Sequence, residues 1–145
     1  MAKYRNILVA TEFTPETRVI TEKAKEVADL YQAQLSLINV VEFSNTLFPP
    51  EVVLPDEFDM EKRMLEHARV SLKELALTHG LKEAKRYVEI GIARDEILRV
   101  AEDNEVDLIV IGSHGKHGIR LLLGSTANAV LHHAKCDVLA VRVGS

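Results

Sequence analysis

The chain has 145 residues, 47% hydrophobic and 28% charged, with 18 Lys plus Arg against 22 Asp plus Glu for a net charge of −4. Seven glycines, four prolines and one cysteine exclude collagen, low-complexity disorder and a disulfide scaffold. The negative balance gives no general attraction to nucleic acid or anionic membranes.

The length suits one domain over residues 1–145, able to bury ~68–70% of the surface that its unfolded form exposes. Cys136 has no partner for an internal disulfide, which fits a reducing compartment. The longest apolar runs fall well short of the ~20 residues of a membrane span, and the N-terminus lacks a signal-peptide core. A soluble cytoplasmic domain is the expectation.

In chain order, Ile7–Ala10 opens as a Val/Ile-rich run of the kind buried on both faces in a parallel sheet. Ile20, Ala24, Val27, Ala28 and Tyr31 then recur on one helical face, with Thr14 as N-cap and Pro15 at the first helical position. The run Leu35–Val41 is a second strand. Glu42–Pro55, with Pro49, Pro50 and Pro55, reads as a long loop.

Leu65, Ala68, Leu72 and Leu75 mark a longer helix that His79-Gly80 stops. A weaker strand at Arg86–Ile90 precedes a short helix carrying Ile97, Val100 and Ala101 and ending near Asn104. Leu108–Ile111 is a fourth strand. A glycine-rich loop follows, then a helix with Ala127, Val130, Leu131 and Ala134 on one face, and a last strand at Val138–Val143. The alternation β-α-β-α-β-α-β-α-β predicts an α/β fold: a five-stranded parallel sheet with right-handed crossovers and helices on both faces.

In such sheets ligands sit beyond the carboxyl ends of strands, where strand order reverses, which directs attention to the turns after the first and fourth strands. The first reads Ala10-Thr11-Glu12-Phe13-Thr14. The second reads Gly112-Ser113-His114-Gly115-Lys116-His117-Gly118, with Gly124-Ser125-Thr126 opening the next helix. Glycines let backbone N–H groups close on an anion, a helix N-terminus adds uncommitted donors, and Ser125 can cap the helix and donate to a phosphate oxygen.

Leu108 to Cys136 contains no Asp or Glu, while Lys116, Arg120 and Lys135 bring +3 and four of the six histidines also fall there. A small anion suits such a loop better than a polyanion; a tight strand-to-helix connection would use the same glycines. Neither G-x-x-x-x-G-K-[ST] nor G-x-G-x-x-G is present, so the loop is neither a P-loop nor a dinucleotide fingerprint.

These segments resemble the universal stress protein family, specifically its A-like branch. The likeness runs through Asn6-Ile7-Leu8-Val9-Ala10-Thr11 with Thr14-Pro15, Leu35–Val41, Asp107 to Gly115, Leu123-Gly124-Ser125-Thr126-Ala127, and Cys136 to Arg142. The resemblance implies a five-stranded α/β sandwich and a homodimer whose last strands pair across a two-fold axis, here through Val138, Leu139, Ala140, Val141, Arg142 and Val143.

ATP-binding members carry G-2x-G-9x-G-[ST]. Gly112 and Gly115 match, but Gly124-Ser125 follows after eight residues, and the family's nucleotide-binding Asp aligns with Glu12. Gly118 offers one way to absorb the missing residue; a smaller phosphate pocket is the other. Carried over residue by residue, the implied site is Ala10, Thr11, Glu12, Val40, Ile111, Gly112, Gly115, Gly124, Ser125 and Thr126, taking ATP with Mg²⁺.

A catalytic reading finds little support. Ser113, His114 and Asp107 are near in sequence without triad geometry, and G-x-S-x-G is absent. His114 with His117 lacks a third metal ligand, His132-His133 reads as solvated surface, and Cys136 as a buried small residue. The expectation is a non-catalytic stress-response protein. A dimeric interaction module without nucleotide is the alternative, and a slow nucleotide hydrolase a more distant one.

Overall fold

The computed structural model describes residues 3–42, 57–113 and 124–142. Its elements are β1 (Asn6–Thr11), α1 (Thr17–Tyr31), β2 (Gln34–Val41), α2 (Glu57–Thr78), β3 (Lys85–Ile90), α3 (Ala93–Asp103), β4 (Leu108–Gly112), α4 (Ser125–His133) and β5 (Asp137–Val141). All pairings are parallel and the sheet order is β3-β2-β1-β4-β5. The expected α/β alternation is the one found.

The two faces of the sheet separate by the alternation of strand side chains. Ile7 and Val9 of β1, Leu35 and Leu37 of β2 and Leu108 and Val110 of β4 pack with Ile20, Ala24 and Ala28 of α1 and Leu72 and Ala76 of α2. Leu8, Ala10, Ile38, Ile109 and Ile111 pack with Ile97, Val100 and Ala101 of α3 and Ala127 and Val130 of α4. β1 and β4 are buried on both sides, which is why their sequences run apolar without alternation. With right-handed crossovers, β1, β2 and β3 step outward one way; the chain then returns across β1 to β4 and steps on to β5. The strand order therefore reverses between β1 and β4.

Several local expectations need correction. Thr14 is not the α1 N-cap: Thr17 N–H donates to Thr14 O at 3.0 Å and Thr14 N–H to Thr17 Oγ1 at 3.0 Å, closing a turn before the helix. Pro15 sits inside that turn and Glu16 becomes the cap residue. Leu131 is 48% exposed instead of joining the buried face of α4, which only Ala127 and Val130 occupy. The last strand spans Asp137–Val141, so Arg142 lies past its end and Val143 outside the described residues. Cys136 is half-buried beside the α3/α4-face core, and burial pushes its thiol up from the ordinary value.

At the amino ends of the strands the polar groups satisfy one another. The Asp107 carboxylate accepts from Arg5 N–H at 2.9 Å and Asn6 N–H at 3.1 Å, and Tyr4 Oη donates to Asp137 Oδ2 at 2.6 Å.

Candidate functional site

The carboxyl ends of β1 and β4 lie side by side at the reversal of strand order, the position where open α/β sheets bind ligands. Ser113 N–H donates to Val141 O at 2.9 Å, extending the β4–β5 ladder by one residue. Gly124 N–H then donates to Ser113 O at 2.6 Å. That bond returns the chain to the end of β4 and sets the start of α4 there.

Gly124 is the cap residue of α4, with extended φ −62° and ψ 155°, and its carbonyl accepts from Asn128 N–H at 2.8 Å. No side chain caps this helix and no acidic residue occupies its first turn. The first N–H groups of an α-helix have no intrahelical acceptor, and here the first turn itself carries no carboxylate. Ser125 is the first helical residue and not the cap, so its exposed hydroxyl stands at the helix opening instead of closing it, with Thr126 half-buried beside it. A nucleotide's phosphates fit this donor set on charge and on hydrogen bonding.

The implied site residues divide between the two faces of the sheet. Ala10, Val40 and Ile111 gather on the α3/α4 face, in the apolar cluster that includes Ala127 at the start of α4. Gly112 is buried at the end of β4. Thr11, by alternation, turns to the other face, and its hydroxyl donates to Ile38 O at 3.0 Å. Asn39 Nδ2 donates to Thr11 O at 3.0 Å, so β1 and β2 are braced at this end by two buried side-chain bonds. Glu12 is half-buried just past β1, followed by Phe13 at φ 54°. Gly115 lies outside the described residues, as do His114, Lys116, His117, Gly118 and Arg120.

The neighbouring helix start is finished differently. α3 also lacks a side-chain cap of its own, but Glu42 Oε1, just past β2, accepts from Ala93 N–H at 2.9 Å, and Asp95 and Glu96 stand in the first turn. Three carboxylates thus attend α3, whereas the first turn of α4 holds none.

Asp107 and Ser113 bracket β4 at opposite ends, six residue steps or roughly 20 Å apart, which disposes of them as a catalytic pair. Among the described residues no group of three or more His, Cys, Asp or Glu is gathered as metal ligands would be. His132 and His133 are exposed at the end of α4, where cations complement the helix dipole.

Three polar side chains that brace the fold escaped the sequence. Asn39, a polar break in the run Leu35–Val41, was the one with a visible signal. Glu42 gave none, because its partner is 51 positions away. His79 does more than end α2: it is buried, with Nδ1 2.5 Å from Glu22 Oε1 of α1, while Lys25 Nζ donates to its carbonyl at 2.9 Å. The His79 contact holds the Glu22 carboxyl below its ordinary range.

Residues 3–142 match the family model described as the universal stress protein family. The chain is 44% identical over 144 residues to universal stress protein A homolog 2 of Coxiella burnetii, covering 99% of this chain and 98% of that one. Homolog 1 of the same organism is 37% identical over 138 residues, covering 95% and 96%. Among solved structures, universal stress protein UspA from Lactobacillus plantarum aligns with a TM-score of 0.76 at 26% identity, over 98% of this chain and 100% of that one. A universal stress protein in complex with cAMP aligns with a TM-score of 0.67 at 23% identity, over 99% and 100%. In addition, no helix among the described residues is long and apolar enough to cross a membrane.

Proposed function

This chain belongs to the universal stress protein family, and we propose that it is a single-domain, non-catalytic stress-response protein of the cytoplasm that binds ATP with Mg²⁺ where β1 and β4 meet. One observation carries the reading: the Gly124–Ser113 hydrogen bond presents a helix N-terminus with no side-chain cap and no acid in its first turn at the reversal of strand order. Phosphates take the first N–H groups of α4 and the Ser125 and Thr126 hydroxyls. The closeness of Gly112 and Gly124 to the strand end leaves backbone, with no Cβ, at the approach. Val40, Ala10 and Ile111 offer the apolar wall for a base, and Glu12 a carboxylate for ribose hydroxyls. The relative solved with cAMP is a precedent for an adenine nucleotide on this fold. Occupancy, not turnover, is the signal.

Calorimetric titration with ATP and Mg²⁺ tests this directly. Micromolar binding that Gly124→Arg abolishes, with an unchanged circular dichroism spectrum, is the expected result. Equal affinity in the variant would remove the site. Phosphate release no faster than in Gly124→Arg would dispose of a slow hydrolase.

A second reading, an interaction module that binds no nucleotide, is favoured by Thr11. Its hydroxyl already donates to Ile38 O and is buried. An absence of heat at millimolar ATP would select that reading.

Dimerisation through β5 is part of the same proposal. β5 pairs with β4 on one side only among the described residues, and Val138, Leu139 and Ala140 are half-exposed. Ser113 bonds to the Val141 carbonyl, so alternation aims the Ala140 N–H away from β4 toward the open edge. Ala140→Pro removes that outward donor. Monomers by light scattering are expected; a persistent dimer would place the interface elsewhere.

A further inference from the structure

The opposite edge of the sheet carries a feature that the nucleotide reading does not use. β3 pairs with β2 and, among the described residues, with no other strand. Gly91 N–H donates to Val41 O at 3.1 Å, so strand alternation turns the backbone groups of Arg86, Val88 and Ile90 outward. Beside this edge, between β3 and α2, runs a groove of about 330 Å³ lined by Arg69, Val70, Leu72, Lys73, Arg86 and Val88. Its lining holds three cations and no carboxylate, in a chain of net charge −4. None of the three cations makes an ion pair among the described residues, whereas Arg99 alone is shared by Glu89, Glu96 and Asp103. Val70 is 56% exposed at its rim.

Cations on an edge strand commonly serve to discourage pairing. Here that role accounts for Arg86 but not for Arg69 and Lys73, which come from α2 and bring charge and apolar surface to the same strip. We infer that this edge receives an acidic, extended segment of a partner protein, added to β3 as a sixth strand. Outward N–H and C=O groups at alternate β3 residues supply main-chain bonds, as in other strand-addition complexes. An added strand presents every second side chain to the α2 face. A carboxylate, an aliphatic group and a carboxylate at alternate positions meet Arg86, the Val70–Val88 strip, and Arg69 with Lys73. Charge sets the choice of partner and speeds the encounter, while the backbone bonds hold the segment.

The probe is a fluorescein-labelled hexapeptide, Glu-Thr-Val-Thr-Glu-Thr, followed by fluorescence anisotropy with the full chain. Saturable binding is expected, weakening by about tenfold or more in Arg69→Glu/Lys73→Glu. That variant should instead prefer the Lys-Thr-Val-Thr-Lys-Thr peptide. Arg69→Gln, a neutral change on an exposed helical position, serves if the double reversal disturbs the circular dichroism spectrum. Methylating alternate backbone nitrogens of the acidic peptide should remove binding in at least one of the two phases of alternation. No saturation at millimolar peptide, equal binding by the charge variants, or indifference to methylation in both phases would each overturn the proposal. The test needs no nucleotide, so its failure leaves the β1/β4 site untouched.

Discussion

The N-termini of α3 and α4 emerge at the carboxyl end of one sheet, on the same face, and are finished in opposite ways. Both lack a side-chain cap of their own. At α3 the fold supplies Glu42 from the end of β2 and places Asp95 and Glu96 in the first turn. At α4 it supplies a glycine, a hydrogen bond that holds the helix start to β4, and no acidic residue in the first turn. The positive ends of the two helix dipoles are physically alike. One is met by carboxylates of the chain, and on the proposed function the other is met by the nucleotide's phosphates, so the difference lies in which carboxylates the chain brings near.

The comparison is open to attack at several points. The largest effect expected, after Gly124→Arg, is from Thr126→Glu, which puts a carboxylate into the first turn of α4. Repulsion of the phosphates should weaken ATP binding by about tenfold or more, since a like charge at ~4 Å costs on the order of 1–4 kcal/mol near a surface. The same change should leave thermal stability level or slightly raised. Unaltered affinity by calorimetry would show that α4 does not face the phosphates.

Glu42→Ala is the reciprocal experiment. Loss of the donated cap on α3 should cost about 0.5–2 kcal/mol, read as a lower urea midpoint without a change in slope. ATP affinity should not move. A parallel loss of binding would mean that the two helix starts form one site.

Asp95→Asn should cost less, about 0.3–1 kcal/mol, because it removes only a charge near the dipole. A cost equal to that of Glu42→Ala would demote the cap to general electrostatics.

The smallest effect belongs to a control at the other end of the strands. Hydrogen bonding to Asp137, aided by burial, pushes the Tyr4 phenol up to about 12 from its ordinary 10.0. The neutral phenol is the bonded form. Its contribution is therefore complete below pH 10 and lost as pH rises through about 12. Phenolate absorbance should titrate late in the native protein, and Tyr4→Phe should erase that alkaline loss of stability while leaving nucleotide binding intact.

The fold was legible because β1 and β4 are buried on both faces and so stand out as apolar runs, with helical periodicity between the strands. Even β3, the weakest run, fell within one residue of Lys85–Ile90. The reversal point followed from the alternation, and the acid-free stretch from Leu108 to Cys136 marked α4. What stayed hidden were bonds between a side chain and a remote backbone group. The Thr11–Ile38 and Asn39–Thr11 braces and the Glu42 cap have no sequence period, since each depends on strands first being brought into register. The α1 start was misread for a related reason: Pro15 suits the inside of a turn as well as the first helical position.

The Asp107 carboxylate joins residues 101 and 102 positions apart, whereas the Asn39–Thr11 brace joins residues 28 apart. β1 can therefore find β2 early, but its other side waits until β4 has been made. On a ribosome, where a domain folds as a unit as its chain emerges, most of the protein exists before that seam can close. Loop closure over so long a span is entropically slow. The seam between β1 and β4 is thus completed late in synthesis, and a truncated product ending before β4 would expose the bare flank of the central strand to other chains.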